Sequence, residues 1–169
     1  MTEWPYRHIA ESPMEAAMLA EISRGEILQW LSGNGWSPDR RIEEKAREFI
    51  AEAVAESEEE GFPMASFGVA ERFIASYGLL RLAHPSDPTS LLITNPTGGY
   101  DGDFGEIAEL SRELRKRLFR IGYDLPEGAV FLVAEDGAFY CSHHTGAYGL
   151  GADEGEFFSN WIRGNLRAV

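Results

Sequence analysis

The fold class that the sequence predicts is α+β, an antiparallel meander of short strands with amphipathic helices packed on it. Three observations carry this. The run AVFLVA over 129–134 is apolar, bounded by turn residues and too short for a spanning helix, so it reads as a strand buried on both faces. Asp136-Gly137 follows it, and Asp-Gly between two apolar runs signals a hairpin, because both central residues of a type I′ turn need positive φ. Several other stretches space their apolar residues at helical intervals and supply the covers.

Taken in order, Ser12-Pro13-Met14-Glu15 is a capping box with proline at the first helical position, and it predicts a helix through Met18 and Ile22. Gly25 interrupts the pattern before Ile27, Leu28 and Leu31, and Gly33-Asn34-Gly35 stops it. Ser37-Pro38 repeats the start signal. Ile42, Ala46, Phe49, Ile50, Ala53 and Val54 then form one stripe, opposite Glu43, Glu44, Arg47, Glu48 and Glu52. Glu56, Glu58, Glu59 and Glu60 place anions at a helix C-terminus against its dipole, which predicts a solvated end that frays or stops early.

Phe62-Pro63 is a connector, and Ser66 is positioned to cap a helix whose buried face carries Val69, Ala70, Phe73, Ile74 and Tyr77. Gly78 stands where a left-handed stop is expected. Strands are predicted over 79–83 and 91–94, separated by His84-Pro85-Ser86-Asp87-Pro88. The segment 95–105 is the longest loop. It lacks the spacing of a phosphate cradle, and Asp101 and Asp103 form a bare D-x-D without the glutamate that completes a calcium loop, so it reads as a structural lead into the next helix. Ile107, Leu110 and Leu114, with Leu118 beyond them, define that helix. Its basic end, Arg112, Arg115, Lys116, Arg117 and Arg120, complements the dipole.

The meander follows, with strands over 118–123, 129–134 and 139–143 joined by turns at 125–128 and 135–138. Asp153 and Glu156 have capping-box spacing, and Phe157, Phe158, Trp161, Ile162 and Leu166 give the closing helix an aromatic stripe, which is core rather than a ligand box.

At 169 residues the chain is expected to be a single domain, residues 1–169, with residues 1–24 as an N-terminal helical extension. No apolar run reaches the roughly 20 residues of a spanning helix, and Met-Thr-Glu-Trp-Pro lacks the basic start of a leader, so a soluble, cytoplasmic protein is expected. A lone cysteine, Cys141, excludes an internal disulfide. The formal charge of −13 disfavours nucleic acid and anionic membrane as partners and favours a basic protein.

The residues with the strongest chemical character are Cys141, His143 and His144. Cys141 and His143 project from one face of a strand, but no second ligand pair with zinc spacing and no oxyanion signature accompanies them. Neither G-x-S-x-G nor H-E-x-x-H occurs. No catalytic residue, metal site or cofactor is assigned.

A set of short motifs, in order, resembles the third group of the SUKH superfamily of bacterial immunity proteins. Ile27-Leu28-Gln29-Trp30-Leu31 and Gly35-Trp36-Ser37-Pro38-Asp39-Arg40-Arg41 are similar to the group's leucine-rich turn and G-W-x-P-x-R opening. Residues 70–79 resemble its helix ending in an aromatic residue and a glycine pair, with Leu79 in place of the second glycine. Asn95-Pro96-Thr97 precedes a helix, 118–122 resembles the L-F-P-I-G strand with Arg120 for proline, 135–140 resembles the D-G-x-V-Y hairpin, and 160–164 the closing helix. The likeness spans residues 25 to 165.

The resemblance implies a twisted, mainly antiparallel sheet with helices against it. It also implies a non-enzymatic immunity protein of a polymorphic toxin system that binds and blocks a cognate toxin domain, often one that acts on nucleic acid. Taken with the charge, the expectation is a monomer or weak dimer that binds a basic toxin and neither nucleic acid nor membrane. A regulatory interaction module of the same fold, binding an endogenous protein, is the alternative. If acidic turns form the interface, the candidates are Asp101, Asp103, Asp124, Glu127, Asp136 and Asp153, all in predicted turns or helix starts where side chains are exposed.

Overall fold

A computed structural model describes residues 22–169. The expected capping box at Ser12-Pro13-Met14-Glu15 and most of the N-terminal extension lie outside the described residues. In order, the elements are α1 (Arg24–Gly33), α2 (Glu43–Glu59), α3 (Gly68–Tyr77), β1 (Arg81–His84), β2 (Asp87–Ile93), α4 (Asp103–Leu114), β3 (Leu118–Leu125), β4 (Val130–Ala134), β5 (Phe139–His143), β6 (Gly146–Gly151), α5 (Glu154–Arg163) and β7 (Arg167–Ala168). The strands form one sheet in sequence order β1 to β7, every neighbouring pair antiparallel. The predicted meander is its centre, and every residue of β4 is buried, as a doubly covered strand requires.

Strand alternation divides the side chains between two faces. One face carries Phe119, Phe131, Val133, Phe139 and Cys141, and the aromatic residues of α3 and α5 pack on it. Phe139 stacks on Phe157 at 4.7 Å, Phe131 meets Phe157 edge-on at 5.6 Å, and Phe73 bridges Phe139, Phe157 and Phe158. The other face carries Arg120, Leu132, Tyr140 and Ser142. Here α4 packs, with Phe104, Ile107 and Leu110 buried.

Local differences from the sequence reading have tertiary causes. Gly25 does not interrupt a helix; it lies in the first turn of α1, whose cap is Ser23, paired reciprocally with Glu26. Ser37-Pro38 does not start α2. Trp36 is buried in a stack with Tyr77 at 5.7 Å, and the Ile42 amide donates to the Ala75 carbonyl, so helical geometry begins only at Glu43. Ser66 gives its hydroxyl proton to Glu71 instead of capping, and Phe67 holds the N-cap with its ring against Phe119.

The acidic end of α2 neither frays nor stops early. The buried Ser57 hydroxyl donates to Val54 and accepts from the Met64 amide, while the Phe62 amide closes on the Ser57 carbonyl. Gly78 is extended, at φ −69°, and the left-handed residue is Leu79, at φ 61°. A Cβ on Gly78 would collide with the Ile74 carbonyl, which is why glycine stands there. β2 begins at Asp87 rather than near Leu91, and β6 and β7 extend the sheet beyond the predicted meander.

The two sheet edges differ. At β1, the free carbonyl of Ala83 accepts from the Trp30 indole at 2.8 Å and its amide donates to the Asn34 side chain at 3.1 Å, so α1 occupies the hydrogen-bonding edge. β7 is a two-residue strand with both residues exposed.

Candidate interaction surface

The six acidic residues singled out from the sequence separate into two groups at opposite ends of β4. Near its Val130 end, the Tyr100 ring rests on Gly128 of the β3–β4 turn, which brings Asp101 and Glu127 to one region of the surface. Asp101 is exposed and Glu127 half-buried. At the Ala134 end, Asp136 lies in the β4–β5 turn and pairs with Lys116 at 2.7 Å, which holds its carboxyl below the ordinary range. Asp153 sits close by, exposed, and caps α5 by accepting from the Glu156 amide at 2.9 Å. The Glu156 carboxylate accepts from Ala152 instead of returning to Asp153, so only half of the expected box forms.

Two of the six are not exposed. Asp124 is fully buried on the aromatic face, where it accepts from the Ala129 amide at 2.9 Å and the Trp161 indole at 3.3 Å. Burial pushes its carboxyl up to about 6. Asp103 is also buried, which raises its carboxyl, although the Tyr100 amide donates to it at 2.7 Å. The expectation of exposure fails at both because each carboxylate closes a turn that is itself folded onto the sheet.

Arg120 is the residue that the sequence reading misplaced. It does not belong to an exposed basic patch: it is 2% exposed and sits where β2 parts from β3. Its Nε donates to the Pro96 carbonyl at 2.8 Å, and its Nη2 donates to Glu56 of α2 at 2.9 Å. The guanidinium lies 3.8 Å from the Asp103 carboxylate and 4.4 Å from the Phe104 ring centre. A Cβ on Gly99 would collide with both Arg120 and Asp103, so glycine is required for the loop to close over them. One buried cation thereby fastens α2, the 95–99 loop and the first turn of α4 to the sheet. The signal available in the sequence was alternation: an arginine flanked by Phe119 and Ile121 in a strand covered on both faces has no solvent to point to.

Around this anchor the surface is acidic and carries two exposed rings. Glu106, Glu109 and Glu113 line the outer side of α4, Glu58, Glu59 and Glu60 end α2, and Phe62 and Tyr100 lie exposed beside the start of α4. Glu106 also accepts from the Ser142 hydroxyl at 3.3 Å, joining α4 to β5.

Cys141 and His143 do share a face, as expected. Cys141 is wholly buried, and burial raises its thiol far above the range in which a thiolate forms. His143 is buried, and desolvation together with His144, whose ring lies 3.8 Å away, lowers it to about 4. Among the described residues no group of three or more His, Cys, Asp or Glu is placed to hold a metal ion. An open cleft of about 800 Å³ among α1, β5, β6 and α5 is lined by charges of both signs, Arg24, Arg163 and Arg167 with Asp153, Glu154 and Glu156. No helix among the described residues is long and apolar enough to cross a membrane.

No curated protein and no solved structure gives a significant match to the chain. A family model described as SUKH-3 immunity protein matches residues 24–164.

Proposed function

Because the chain belongs to the SUKH-3 immunity protein family, we propose that it protects a bacterial cell within a polymorphic toxin system, by binding and neutralising a cognate toxin domain that is basic and acts on nucleic acid. The observation that supports the basic partner is the formal charge of −13, which accelerates encounter with a cationic surface and is unfavourable for a polyanion. It acts in the cytoplasm as a monomer or weak dimer, through protein contact alone. Neutralisation by occlusion needs no chemistry from this chain: acidic side chains take the place of substrate phosphates on the toxin, and the toxin's active site is covered.

The experiment is co-expression with the toxin domain encoded beside this gene, followed by titration of the purified pair. Relief of growth arrest with tight binding, and an association rate that falls as salt rises, is the expected outcome. Growth arrest that persists in the presence of folded protein, with no binding in the calorimeter, would remove the immunity reading. An association rate indifferent to salt would remove only its electrostatic part.

A further inference from the structure

Phe62, Tyr100 and Val169 are the exposed large apolar residues among those described, and Phe62 and Tyr100, 47% and 51% exposed, flank the first turn of α4. The Phe62 ring lies over Gly105 of α4, 3.4 Å from where a Cβ would stand, and the Tyr100 ring lies over Gly128, 3.4 Å from the equivalent position with its hydroxyl at 3.3 Å. The backbone that carries each ring is tied down. Tyr100 follows Gly99, which is closed over Arg120, and its amide is bonded to Asp103; Phe62 follows the end of α2 that Glu56 ties to the same arginine. Carboxylates adjoin both rings along the chain: Glu60 lies just before Phe62, Glu106 follows the Gly105 under the Phe62 ring, Asp101 follows Tyr100, and Glu127 precedes the Gly128 under the Tyr100 ring.

We propose that Phe62 and Tyr100, with this acidic rim, form the docking surface for arginine side chains of a basic protein partner. A guanidinium is flat and weakly hydrated, so it stacks on an aromatic face while its edge donates to a carboxylate; a lysine ammonium does the two together less well. The same pairing occurs twice inside this molecule. Arg120 lies over Phe104 while bonded to Glu56, and Arg117 lies over Phe67, 5.3 Å from its centre, while bonded to Glu135 at 2.8 Å. At Phe62 and Tyr100 the rings and acids are in place and the cation comes from outside. Because the buried anchor ties down the backbone that carries both rings, less ordering is left to oppose binding. The identity of the partner as a toxin rests on the function proposed above; the arginine chemistry does not.

The probes are a short oligo-arginine peptide and its oligo-lysine counterpart, titrated into the full chain and followed by amide chemical shifts. Shifts centred on residues 60–62, 99–106 and 127–128, with oligo-arginine binding several-fold tighter, are expected. Phe62→Ala with Tyr100→Ala should weaken oligo-arginine binding on the order of tenfold or more, while Tyr100→Phe keeps the ring and leaves affinity nearly unchanged. Both sites are exposed, so an unchanged thermal midpoint confirms the fold. Shifts spread evenly along the acidic side of α2, equal binding of the two peptides, or a double variant that binds as the parent does, would each overturn the assignment. With the neighbouring-gene toxin the outcomes separate: a toxin that binds the double variant unimpaired overturns this surface and leaves immunity standing. Oligo-arginine mapping here, with no toxin binding at all, retains the surface and removes immunity.

Discussion

On one face of the sheet Phe139, Phe157, Phe158 and Phe73 touch ring to ring, and Trp161 joins them through Trp30; on the other, Arg120 reaches Glu56, Asp103 and the Pro96 carbonyl from β3. The aromatic face is held by area and close packing, where each ring meets others and no single contact has to satisfy a charge. The Arg120 face is held by direction, where one cation must satisfy several acceptors and the loss of any one leaves a buried charge short. Stability therefore concentrates on the first face and surface shape on the second, because Phe62 and Tyr100 hang from the elements that Arg120 ties down.

Truncation on the aromatic face should produce the largest effect. Phe157→Ala empties a fully buried site, and a loss of about 3 to 5 kcal/mol is expected in urea unfolding. A loss below about 1 kcal/mol would mean that the ring cluster is not the main source of stability.

On the other face the order of two variants is the test. Glu56→Ala leaves the Arg120 guanidinium buried with its direct carboxylate partner gone; because Glu56 is about one-third exposed, the cost is reduced to roughly 1 to 3 kcal/mol. Arg120→Met keeps an apolar contact with Phe104 but leaves the buried Asp103 carboxylate and the Pro96 carbonyl without their cation, so it should cost more than Glu56→Ala in the same unfolding assay. It should also raise amide exchange in the 95–103 loop, which loses its anchor. If Glu56→Ala were the worse of the two, the acceptors other than Glu56 would contribute little and the contrast between the faces would weaken.

Asp124 is the exception on the aromatic face, and pH isolates it. Its carboxyl is raised to about 6 by burial, above the ordinary carboxylate value, so the folded state holds the proton more tightly than the unfolded chain does. Its contribution to stability is therefore fully present below the unfolded value, near 4, and is lost as pH rises through about 6. Asp124→Asn cannot titrate and loses the Trp161 bond. The variant should be less stable than the parent at pH 5, with the gap narrowing by pH 7.5; thermal midpoints across that range measure it. A gap that widens with pH would contradict the sign.

The smallest effect is expected where neither face is involved. Leu79 holds φ 61° at the turn into β1, a conformation costing a non-glycine residue roughly 1 kcal/mol. Leu79→Gly relieves that cost but adds freedom to the unfolded chain and removes a half-buried side chain, so a net change of no more than about 0.5 kcal/mol is expected by urea midpoint.

Much of the architecture is legible without coordinates. The AVFLVA strand, the Asp-Gly hairpin, the stripe of α2 and the aromatic face of α5 follow from periodicity and turn chemistry, which depend on residues close in sequence. The first two elements of the sheet were readable as strands, but not the early start of β2, where Asp87 and Pro88 look like turn residues, nor β6, whose glycines weaken any strand pattern. Helix starts were misread at Ser37 and Ser66 because a cap is a local signal that distant packing overrules, here the seating of Trp36 on Tyr77 and of Phe67 on Phe119.

The candidate surface was legible only in part. Acidic character and the exposure of Asp101 follow from composition and the turn; that Asp103 and Asp124 are interior, and that Phe62 and Tyr100 are exposed beside the first turn of α4, do not. What the sequence determined by itself is the antiparallel meander, its helical covers and the net charge of −13, since each rests on short-range pattern or on a sum over the chain. Which charges face inward was decided by the tertiary structure, because whether Arg120 meets water or Glu56 depends on contacts between segments 64 residues apart, and no local pattern encodes those.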